Sequence, residues 1–143
     1  MTAVREMIWS QIESQLMTAA IAQEIERMPS SNPSKFPALH LFDGGDESDL
    51  AEAGTDTWIM RVDIEGTVEG GTGSEAHASL NALDTSVIEI IFTEPLLGGL
   101  VTQIEAGSLK PMVAERASRR RLGFVRSILI HYATRHGSPQ ILY

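Results

Sequence analysis

The residues of widest chemical repertoire in this chain are four histidines, His40, His77, His131 and His136. A metal centre needs ligands that converge, as they do in HxH or HExxH runs, and these four stand far apart. They read as surface or edge histidines, and no metal is expected. The carboxylates between Asp43 and Asp56 are denser, but Gly44 and Gly45 interrupt the ligand ladder that a calcium loop requires. Ser127, His131 and Asp63 supply the residue types of a nucleophilic triad, without the glycine-flanked serine of a nucleophile elbow. Gly70, Gly71, Thr72 and Gly73 ahead of a helix would turn backbone N–H groups toward an anion. No phosphate-binding lysine follows, however, and Glu75 in the first turn would repel phosphate. Each candidate has a plainer reading as a turn, cap or solvated side chain, so no catalytic residue and no cofactor is expected.

Charge is more informative. The 143 residues carry a formal net charge of −8 and contain no cysteine. Long-range repulsion opposes general binding to nucleic acid or anionic lipid. There is neither a disulfide framework nor a thiolate nucleophile, which fits a reducing compartment. Against this acidic background Arg116, Arg119, Arg120, Arg121 and Arg126 cluster near the end of the chain. One reading is a solvated strand entry. A sharper one sets Arg119, Arg120 and Arg121 against Asp43, Asp46, Glu47 and Asp49 of a neighbouring copy, where complementary charge fixes orientation. Trp9 lies off the apolar stripe of its helix; it either packs within its own domain or anchors a partner.

These residues need elements to hold them. From Val4 to about Met28, Ile8, Ile12, Leu16 and Ile25 recur at helical spacing, which predicts an amphipathic helix ending at Pro29 to Pro33. Phe36 to Phe42 reads as a strand, followed by an exposed acidic loop over about 43–56. Thr57 to Glu69 alternates strictly and is the clearest strand. Thr72 with Glu75 matches a capping box, opening a helix that buries Ala76, Leu80, Leu83, Val87 and Ile91 and stops at Pro95. A short strand is expected at Val101 to Glu105, a turn at Ala106 to Ser108, and another short strand or an irregular edge at Met112 to Ala117, where Pro111 disturbs pairing. Arg119 to Thr134 alternates again. The expected architecture is a single α+β domain over 1–143: a mixed or antiparallel sheet with an N-terminal and a central helix packed against it. No run approaches the roughly 20 apolar residues needed to cross a bilayer.

The strand Thr57 to Glu69 would reach roughly 40 Å at about 3.3 Å per residue. A compact chain of this size has a radius of gyration of only about 14 to 15 Å. Either Gly66 and Gly123 bend the long strands, or the strands protrude as β arms that pair with another subunit.

This order of elements resembles the tail terminator, or tail completion, proteins of tailed bacteriophages. The resemblance covers most of the chain. It rests on the N-terminal helix, the strand entering a variable loop, the long strand and the central helix. It includes Glu94, Pro95, Leu96, Leu97, Gly98, Gly99 and Leu100, and the closing strand with Tyr132, Ala133, Thr134 and Arg135 before His136 to Pro139. The resemblance implies a non-enzymatic virion protein of the tail, assembled in the host cytoplasm. It implies a hexameric ring that ends tube polymerisation, touches the tail tube protein and the head–tail connector proteins, and lets DNA pass without sequence-specific binding. A connector or other minor tail protein is the nearest alternative. A small oligomeric enzyme with an interface site built from His131 or His77 and carboxylates is the alternative of a different class.

Overall fold

The computed structural model describes residues 2–49, 52–94, 96–114 and 120–143. Helix α1 spans Val4–Ala19 and helix α2 spans Gly73–Thr93. The strands are β1 (Glu24–Arg27), β2 (Ala38–Ser48), β3 (Thr55–Glu69), β4 (Gln103–Ala114), β5 (Arg121–Arg135) and β6 (Ser138–Leu142). They form one mixed sheet in the order β1-β2-β3-β5-β4, with β6 beside the far end of β5. β1 is parallel to β2, and the other pairs are antiparallel. The α+β architecture, with both helices against the sheet, is the one expected. Among the described residues no helix is long and apolar enough to cross a membrane.

The core lies on one face of the sheet. Met60, Val62, Ile64 and Val68 of β3 and Phe124, Ile128, Ile130 and Tyr132 of β5 project into it. Ile8, Ile12 and Leu16 of α1 and Leu80, Leu83 and Val87 of α2 close it from above. Burying apolar area of this kind is the main favourable term in folding. α2 begins as its sequence predicts, with Thr72 Oγ1 accepting the Glu75 backbone N–H at 3.2 Å.

The long strands neither bulge nor hang free. β3 and β5 pair residue for residue from Thr55↔Arg135 to Glu69↔Arg121 with no shift of register. Both lie inside the sheet, so of the two alternatives the strands are contained in the domain and neither is a free arm. The two glycines make room for close packing across the pair. A Cβ on Gly66 would lie 2.3 Å from the Phe124 ring, and one on Gly123 would lie 3.1 Å from the Gly66 carbonyl oxygen. Phe124 thus packs across the backbone of its cross-strand partner, filling the space that Gly66 leaves.

Other boundaries moved. α1 stops at Ala19 because Ala20 turns left-handed, φ 53°, and returns its N–H to Met17 O. Ile25, expected in the helix, instead lies in β1, where pairing with β2 outweighs a weak helical pattern. The acidic loop is shorter than expected, because β2 continues to Ser48 across a register shift between Asp43 and Asp46. The two strands predicted after α2 are one, β4, interrupted by a shift between Ala106 and Leu109. Between α2 and β4 the chain makes a left-handed turn, with φ positive at Leu96, Leu97, Gly98 and Gly99. This conformation costs a leucine about 1–2 kcal/mol, and the complete burial of Leu97 offsets it. β6 lay beyond the final predicted strand.

A candidate assembly surface

β4 is a terminal strand of the sheet, and its outer edge is exposed. None of its residues from Gln103 to Val113 is buried, and Leu109, Met112 and Val113 are 40%, 40% and 75% exposed. An edge strand presents unpaired backbone groups, and proteins guard such edges with bulges, lysine and proline. β4 has all three in its register shift, Lys110 and Pro111. Pro111 is compatible with a strand here because only an edge tolerates the missing donor.

One device ties β4 to the core. Arg126, on the helix-facing side of β5, donates to Asp84 of α2 through Nε at 2.9 Å and Nη2 at 2.7 Å. Its Nη1 donates to Gly107 O, inside the β4 shift, at 3.1 Å. The carboxylate holds the Arg126 guanidinium above its ordinary pKa. Arg126 therefore belongs to a largely buried ion pair, not to the surface charge cluster its neighbours suggested.

The proposed charge pairing changes in a similar way. Asp43 and Asp46 are already engaged: Arg5 of α1 donates to Asp43 Oδ2 at 2.6 Å and to Asp46 Oδ1 at 2.9 Å. Tyr132 O–H donates to the other Asp46 oxygen at 2.5 Å. Arg5 holds the Asp43 carboxyl below its usual range, and burial together with Asp46 pushes the Tyr132 phenol up. Arg121 Nε donates to Glu69 at 2.7 Å, and its guanidinium lies over the Phe36 ring, 4.8 Å from the centroid. Arg120 is exposed, and its carbonyl accepts the Gly70 N–H at 2.9 Å. Glu47 and Asp49 are exposed, whereas Arg119 lies outside the described residues.

Trp9 is 3% exposed and packs in the core with Arg27 above its ring, so it has no surface to offer a partner. Arg27 in turn donates to Glu6 at 2.6 Å and to Glu13 at 3.1 Å, clamping β1 to α1. Arg5 and Asp84 were missed from the sequence, and Arg126 and Tyr132 were named there without the carboxylates that hold them. The signal available was a polar residue within an otherwise apolar stripe, at Asp84 in α2 and at Arg126 in β5.

The triad types do not assemble. Ser127 Oγ donates to Asp63 Oδ1 at 2.7 Å. His131, four residues further along β5, has a buried Nε2 with no hydrogen bond, and Glu105 Oε1 lies 3.4 Å away. That separation makes Glu105 an electrostatic neighbour rather than a hydrogen-bond partner. His77 lines a cleft of about 90 Å³ with Asp84, whose carboxylate is bonded to Arg126. His40 is buried against Glu24, Nε2 to Oε2 2.5 Å, and this contact lowers the Glu24 pKa. It borders a polar cavity of about 530 Å³ under Pro29 to Pro33. Among the described residues no three His, Asp or Glu side chains are placed to hold a metal ion.

The fold and this surface define an α+β protein with one helix-covered sheet face and an exposed terminal strand. No protein-family profile and no curated protein sequence matches the chain. Among solved structures it is similar to a chain in the virion of a native gene transfer agent particle. The TM-score is 0.39 and the identity 11%, over 87% of this chain and 91% of that one. A likeness at that level carries no argument about what this chain does.

Proposed function

We propose that this chain is a structural virion protein that forms a ring at the head-proximal end of a phage tail tube. The ring ends tube polymerisation and offers the surface to which the head joins. The observation that carries this reading is β4, a twelve-residue terminal strand with exposed apolar side chains and no buried residue in its described length. Such an edge fits protein–protein contact better than chemistry. The element order that resembles tail terminators supports the same reading. The partners are five further copies, the tail tube protein and the head–tail connector proteins. DNA passes through an acidic lumen without sequence-specific binding, because like charge keeps it from adhering. The chain works in the tail of the virion, after assembly in the host cytoplasm, and catalyses no reaction.

The test is negative-stain imaging of the purified protein, alone and mixed with tail tubes, together with its native mass. Six-fold rings seated on tube ends are expected. A strict monomer with no affinity for tubes would sink the reading.

A further inference from the structure

We infer that copies of this chain join head to tail, the β4 end of one docking on the β2–β3 end of the next. Residues 110–121 contain Lys110, Arg116, Arg119, Arg120 and Arg121, five of the eleven basic residues, against one acid, Glu115. Residues 43–56 contain six carboxylates and no cation. Among the described residues, the register runs the acidic segment from Asp43, opposite Val62 in mid-strand, to Asp56 near the β2–β3 end, and sets Lys110, opposite Val125, and Arg121, opposite Glu69, toward the other end. The β2–β3 connection adjoins Thr55↔Arg135, and the β4–β5 connection adjoins Glu69↔Arg121. Fourteen residue steps separate the two ends, roughly 46 Å at about 3.3 Å per residue, while Glu47, opposite Ile59, and Lys110, whose partner Val125 pairs with Glu65, are six steps apart, roughly 20 Å, with two strands between them. Opposite charges that far apart cannot meet within one chain, and screening removes any mutual attraction. They can meet between two chains.

The structure also selects which charges take part. Asp43 and Asp46 are held by Arg5, and Arg121 by Glu69. The exposed charges at the acidic end are Glu47, Asp49 and Glu52, and at the basic end Lys110 and Arg120. Apolar surface accompanies both: Met112 and Val113 flank the basic end, and Leu142, 42% exposed, lies on β6 toward the acidic end. The occupant of the β4 end is therefore a second copy of this chain. Two different patches in contact make a heterologous interface, which closes into a ring when the rotation per copy allows.

The inference deepens the ring reading, and it is tested by charge exchange. One variant carries Lys110→Glu and Arg120→Glu; the other carries Glu47→Lys, Asp49→Lys and Glu52→Lys. Circular dichroism checks the fold of each, and sedimentation at low and high salt reads self-association. Each variant alone is expected to associate at least about tenfold more weakly than the parent chain. A one-to-one mixture should recover association, since every junction is again complementary, and rescue of this kind cannot come from unfolded chains. Parent-like association of either variant alone, or no recovery in the mixture, would overturn the head-to-tail contact. If the parent chain caps tubes while the variants associate unchanged, the contact falls and the ring reading stands. Charge-dependent association without capping leaves the contact standing and removes the ring reading.

Discussion

β3 and β4 run parallel in the same sheet, both paired with β5, yet different forces hold them. β3 buries every second side chain from Met60 to Val68, with Gly66 taking its turn beneath Phe124. β4 buries none of its residues from Gln103 to Val113 and depends on the backbone ladder and the Arg126 contact at Gly107. A backbone hydrogen bond exchanged with water contributes only about 0.5–1.5 kcal/mol net, whereas a buried Leu, Ile or Val side chain contributes about 1.5–3 kcal/mol. One strand is thus fixed by the fold. The other presents its outer edge to solvent.

The largest expected effect breaks the β3 side. Gly66→Val places new atoms inside the Phe124 ring volume, and Phe124 is buried at 2% exposure with nowhere to move. A loss of about 3–4 kcal/mol is expected in urea unfolding. Phe124→Leu in the same chain should return part of it. A Gly66→Val chain as stable as the parent would show that the strands separate more easily than their register implies.

Next is the link between the two regions. Asp84→Ala leaves Arg126 without its carboxylate in a largely buried position and should cost about 2–3 kcal/mol. It should also loosen β4 at Gly107 more than β3, which amide exchange can resolve. Equal loosening of both strands would mean that the ion pair does not single out β4.

A smaller effect tests the polar clamps beside β3 through pH. Glu6, Glu24 and Asp43 have folded pKa values lowered by Arg27, His40 and Arg5 respectively. Unfolded carboxylates titrate near about 4. The stability these groups contribute is therefore complete above that pH and is lost as the pH falls through their lower folded values. Arg5→Ala returns Asp43 toward its ordinary value, so the fall in stability below about pH 4 should flatten. At neutral pH the cost should stay under about 1 kcal/mol, because Arg5 and Asp43 are 31% and 28% exposed. An unchanged acid profile would contradict the assignment.

The smallest effect on folding concerns β4 itself. Val113→Ser changes a side chain that is 75% exposed and should alter monomer stability by no more than about 0.5 kcal/mol. Its effect should appear in assembly instead. A large loss of monomer stability would place Val113 in a core.

The same contrast explains what the sequence could tell. β3 and α2 were legible because burial on one face imposes period two on Met60, Val62, Ile64 and Val68, and helical spacing on Leu80, Leu83 and Val87. β4 was read as two fragments because, among its described side chains, Ile104 alone is a hydrophobic packed partly on the core. With no periodic pattern, Gly107, Ser108 and Pro111 looked like breaks rather than a shift within one strand. β1 was read as helix because Ile25 fits both periods, and its parallel pairing with β2 is long-range. The acidic segment looked like a loop, since no local pattern could announce that Arg5 and Tyr132 hold Asp43 and Asp46 from 38 and 86 residues away. The charge asymmetry was plain in composition. The distance between its two poles needed the register.

The most direct measurement is hydrogen exchange of the backbone amides, first in the isolated chain and then in the presence of tail tubes under conditions where the proposed ring would assemble. In the isolated chain the amides of β4 should exchange well before those of β3 and β5. On assembly β4 should gain the largest protection while β3 changes little. Protection of β4 equal to that of β3 before assembly, or no gain on assembly, would contradict the view that β4 is the strand the fold leaves for a partner.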